Sequence, residues 1–172
     1  SSTRKTVWVG WFILVASTIA ALMLQGPYAA GAGIGDAVRW TVVHTVLSTH
    51  FGHVTEVRLA LLVVAFALLL FISEIDRRDT APTWWIGVGA VVAILLAGTP
   101  GFAGHAETGT FTIFAVPLDT VHVLAMSVWL GGLAVLLVAT LSGGFKGGLR
   151  SALSTFSRLA FWCVVALILS GL

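Results

Sequence analysis

"PLDTVHVLAMSVWLGGLAVLLVATL", residues 117–141, decides the fold. Past its first few positions it is apolar for more than the roughly 20 residues a helix needs to cross a ~30 Å hydrocarbon layer. It opens, however, with a carboxylate and an imidazole, Asp119 and His122. The run therefore reads as a membrane helix with a polar mouth.

Working outward, the same length of apolar sequence recurs. The chain is 58% hydrophobic and 9% charged, with a mean hydropathy of +1.04. Soluble domains carry about 25% charged residues. The expected class is all-α, a polytopic transmembrane helical bundle. Five spans are expected near residues 7–24, 54–72, 84–97, 117–141 and 151–172, in a single transmembrane domain covering 1–172. "QGPYAAGAGIG" is expected to break the first span, because Pro27 and four glycines do not continue a helix cheaply. "GTPGFAGHAETG" should end the third, and Pro117 should stand in the first turn of the fourth. Residues 36–50 are too polar to cross and read as a short interfacial helix with Asp36 as its cap. The sequence starts at Ser1 and stops in "LILSGL", inside a plausible span, so a piece of a longer protein is expected.

The basic residues give an orientation. With the N-terminus cytoplasmic, Arg4, Lys5, Arg77, Arg78, Lys146 and Arg150 all fall inside, and Arg39 alone lies in an outer loop. That asymmetry is what the positive-inside rule asks for. The net charge of +2 is thereby a matter of topology, with no nucleic-acid partner implied. All five histidines, His44, His50, His53, His105 and His122, then share the outer face with Asp36, Glu56, Glu107 and Asp119.

At helical spacing Asp119, His122, Met126, Trp129 and Leu133 fall on one side of the fourth span. Imidazole suits several transition metals and a thioether favours Cu(I). Asp119 either ligates or orients His122 through its second ring nitrogen. The plainer reading has His122 bonded to a neighbouring backbone carbonyl and Met126 as packing. Gly131 and Gly132 read as close-packing positions. "THFGHVTEVR" sets His50, His53 and Glu56 at successive i, i+3 positions, a metal half-site or a solvated edge, and "GFAGHAETG" holds His105 with Glu107 in an outer loop. The candidate metal residues are thus His122, Asp119, Met126, His50, His53, His105 and Glu56. Cys163, the single cysteine, forms no internal disulfide or paired metal clip. No nucleophile elbow, phosphate loop or zinc-protease motif is present, and no enzyme activity is expected.

"LQGPYAAG", "FGHVTEVRLALL", "GHAE", "DTVHVLAMSVWLGGLAVLL" and "FSRLAFWCVVALILSGL" together resemble the CopD copper-resistance family, closest to its YcnJ-like and actinobacterial members. The resemblance runs from about Leu22 to Leu172 and is most specific at Asp119, His122, Trp129, Gly131 and Gly132. It implies a protein of the cytoplasmic membrane that moves copper, the choice between Cu(I) and Cu(II) staying open, and a periplasmic CopC-like domain or protein as partner. It makes His122 and Asp119 the first functional pair. Two other roles stay open: from the residues, a b-type haem held by histidines of different segments; and, from the resemblance, copper delivery or oxidase assembly without conduction.

Overall fold

The computed structural model describes residues 2–31, 33–75, 80–104, 112–141 and 149–171. It is all-α, with no strand among the described residues. The helices are α1 (Ser2–Ala30), α2 (Trp40–Leu47), α3 (His50–Leu70), the single turn α4 (Ile72–Ile75), α5 (Thr83–Ala103), α6 (Thr112–Leu141) and α7 (Leu149–Ser170). A 3-10 turn, Ile34–Val38, joins α1 to α2. The five long ones, α1, α3, α5, α6 and α7, are long and apolar enough to cross a membrane.

Each of the long helices carries apolar side chains on its outside. Ile13, Val63, Ile94, Leu137 and Leu169 are all exposed, whereas Leu62 is the largest side chain that is fully buried. A soluble bundle would bury that surface; here it suits lipid. The long helices alternate in direction. α1 packs on α3 and α6, α3 on α5, and α5 on α6, so these four close a ring, while α7 lies along α6 in the most extensive pairing of all. Arg4, Lys5 and Arg150 stand at one end of the bundle, and His44, His50, His53, Glu56, Asp119 and His122 at the other.

Three expected boundaries move outward. α1 continues through Pro27 to Ala30 and ends at Gly31, whose φ of 61° supplies the left-handed cap. α5 runs through Pro100 to Ala103, and Pro117 lies inside α6 rather than in its first turn. The reason is the solvent. An unpaired backbone group in hydrocarbon costs several kcal/mol, so a membrane helix continues past a proline wherever a neighbouring group serves the freed carbonyl. At Pro100 that group is visible: the carbonyl it leaves unbonded belongs to Leu96, and Thr99 Oγ1 donates to it at 2.7 Å. The interfacial segment is helical, but its cap position is Arg39, with Asp36 in the preceding 3-10 turn.

The turn between α2 and α3 is fixed by Thr49, whose hydroxyl accepts from Gly52 N at 3.2 Å. Gly52 itself sits against the backbone of Val46 and Leu47, where a Cβ has no room. Gly26 plays the same part on α1, with Val42 of α2 filling the space of its absent side chain.

Candidate functional site

α3 is helical from His50, so His50, His53 and Glu56 do share one side of it. His50 and His53 line a cavity of about 310 Å³ together with Val54, Leu95, Thr99 and Phe102. Glu56 is exposed and does not line it. His50 Nε2 lies 3.0 Å from the carbonyl of Phe102, in the last turn of α5. A carbonyl only accepts, so this nitrogen carries the proton and the lone pair of the neutral ring resides on Nδ1. The contact also satisfies a helix-end carbonyl that α5 itself cannot.

On α6 the first two members of the expected stripe face different neighbours. Asp119 turns to α5: a Cβ on Gly101 would stand 2.9 Å from its Oδ2, so the glycine makes space for the carboxylate. His122 turns to α7, where its Nδ1 lies 3.0 Å from Ser170 Oγ. Ser170 donates its own proton to Ala166 O at 2.7 Å, so it accepts from the ring. In a neutral His122 ring, Nδ1 then carries the proton and Nε2 the lone pair. The orienting part that the sequence offered to Asp119 falls to Ser170. Met126 lies on the arc between Asp119 and His122 and is 40% exposed. Gly132 has Phe156 of α7 in the space of its missing side chain, whereas Gly131 faces open space.

Among the described residues, no three of His, Cys, Asp and Glu gather into a metal-binding group. His105 and Glu107 lie outside the described residues. His44 is exposed on α2, its ring 6.3 Å from that of Trp40. The arrangement is two histidine positions at one end of the bundle, His50 with His53 and His122 with Ser170, each with one imidazole whose tautomer is set by a neighbour. Neutral imidazoles with a fixed tautomer are the form in which histidine binds metals.

Below the His50 end, the structure brings together residues that the sequence reading did not join. Arg58 of α3 donates from Nε to Thr18 Oγ1 of α1 at 3.1 Å, and from Nη1 to Thr99 Oγ1 of α5 at 2.6 Å. Both threonines are buried. An arginine inside a spanning helix was the available signal; the threonines gave none.

The sequence model of one family, described as copper resistance protein D-like, N-terminal domain, matches residues 1–113. That stretch holds α1 to α5, with His50, His53 and Arg58, and stops short of Asp119, His122 and Met126. No curated protein and no solved structure gives a significant match.

Proposed function

The chain belongs to the copper resistance protein D-like family, and from that membership we propose that it carries copper into or across the cytoplasmic membrane, entering at the histidine-bearing end. In this reading that end is extracytoplasmic, because Arg4, Lys5 and Arg150 stand opposite and cytoplasmic ends collect positive charge. The protein is a carrier and not an enzyme.

One observation carries the reading. Ser170 favours, in a neutral His122 ring, the tautomer whose Nε2 lone pair suits a metal, at the histidine-bearing end of the bundle. His50 and His53, at the cavity they share, are the first contacts for the ion. His122, with Asp119 and Met126 on neighbouring arcs of α6, is the next. Separate weak sites suit passage better than a single tight cage, since an ion must leave as readily as it enters. His105 and Glu107 belong to the same capture step, and Glu56, on the outer surface, adds negative charge near it. A periplasmic CopC-like domain or protein is the donor in this scheme.

Metal analysis and an optical spectrum on purified wild type, beside His122→Ala and His50→Ala/His53→Ala, test it. Copper retained by wild type and reduced in the variants is the expected result. Copper retention unchanged in all variants removes these residues from the path. A Soret band would put haem b in place of copper. Uptake into vesicles separates a carrier from a protein that only hands copper on.

A further inference from the structure

We infer that the cavity around Arg58 binds a small monovalent anion, of the halide or carboxylate class, inside the membrane-spanning length of the bundle. The cavity, about 420 Å³, lies among α1, α3 and α5, with Ser17, Thr18, Thr55, Arg58 and Thr99 on its wall. Arg58 sits about 12 Å along α3 from His50, eight residues at the helical rise.

The hydroxyls there have no protons to spare. Ser17 and Thr18 donate to Leu14 O at 3.0 and 2.7 Å. Thr55 donates to Phe51 O at 2.8 Å and Thr99 to Leu96 O at 2.7 Å. Their oxygens are left as acceptors, and two of them take Nε–H and one N–H of Nη1 from Arg58. A guanidinium has five N–H groups, and the others on Arg58 meet no acceptor among the described residues. Nor does any described carboxylate pair with it: Asp119 is turned to Gly101, and Glu56 is exposed on the same helix.

Among the described residues, the site is therefore a positive charge with unused donors, held in place by neutral acceptors. A charge left unpaired at such depth is costly, and a buried guanidinium is matched by an anion that accepts hydrogen bonds. A route from the histidine end exists. Phe51, Ala103 and Gly104 border this cavity and also a second one of about 670 Å³, which reaches His50, Thr45 and Gln25. Ala21, Val54 and Pro100 make much of the remaining wall apolar, which disfavours large, strongly hydrated anions. A bound anion would cancel the charge that otherwise repels any cation arriving from His50. The inference stands apart from the copper reading, since no residue on the wall of the Arg58 cavity is a proposed metal ligand.

The test uses the full chain, metal-free, in a zwitterionic detergent. Thermal unfolding is followed by tryptophan fluorescence while sodium chloride or sodium acetate replaces sodium gluconate at constant ionic strength. Wild type should show a saturable rise of several degrees in the midpoint. The lower half-saturating concentration of the two assigns the halide or the carboxylate. Arg58→Gln should lose the response, and Arg58→Lys, which keeps the charge, should retain it at higher anion concentration. A wild type with no saturable response overturns the inference even if Arg58→Gln fails to fold, and so does a response in Arg58→Gln equal to that of wild type. Failure of copper binding in any variant leaves this result unaffected.

Discussion

Ser170 Oγ accepts from His122 Nδ1 at 3.0 Å and passes its own proton to Ala166 O at 2.7 Å. The pair joins α6 to α7 through a relay of fixed polarity that ends on backbone. A metal-binding imidazole usually donates its other ring N–H to a carboxylate, backbone carbonyl or water, and loss of that partner typically costs 10–100-fold in affinity; the Ser170 hydroxyl occupies the corresponding place.

On the proposal that copper binds at His122, Ser170→Ala should weaken that binding by roughly 10–100-fold while the helix content stays as in wild type. Competition against a chelator of known affinity measures it. Affinity equal to that of wild type would make the serine a packing residue.

Thr99 has two duties, closing the gap that Pro100 opens at Leu96 and receiving Arg58. Thr99→Val keeps the shape and loses both bonds, and leaving buried groups unpaired costs about 1–3 kcal/mol. Thr99→Ser should retain most of the stability. Thermal midpoints of the two variants in one detergent give the comparison, and a valine variant as stable as the serine one would deny the hydroxyl its role.

Gly52→Ala drives a methyl into the backbone of Val46 and Leu47, which cannot step aside as a side chain can. Overpacking of this kind costs typically 1–3 kcal/mol, so the midpoint should fall and the α2–α3 corner should become the first site of limited proteolysis. An unchanged midpoint would mean that the corner shifts freely.

Gly132→Ala meets the ring of Phe156, and Gly131→Ala meets nothing within 4 Å. The first should loosen α7 from α6; the second should match or slightly exceed wild-type stability, because alanine is the better helix former by about 1 kcal/mol. Crosslinking between introduced cysteines on α6 and α7 reports the difference, and equal behaviour of the two variants would contradict the packing.

The number and class of the long helices were legible because hydrocarbon thickness sets a length that sequence reports directly. Their ends were less so. Pro27, Pro100 and Pro117 read as boundaries by rules learned in water, whereas the helices run through all of them. Of the site, Asp119, His122, His50 and His53 stood out as polar residues in apolar surroundings. Thr18 and Thr99 did not, since threonine is unremarkable in such a run and Arg58 lies 40 and 41 residues away from them. Ser170 was hidden in the same way, as a small polar residue near the end of α7.

The pairing of α6 with α7 also sets an order of events during synthesis. The four helices of the ring, α1, α3, α5 and α6, all precede α7 in sequence, and Ser170 follows His122 by 48 residues. Until α7 has been inserted and has swung alongside, the imidazole is free to hold its proton on either nitrogen. The setting of the His122 ring thus waits on a helix made after its own, and is completed only when α7 packs on α6.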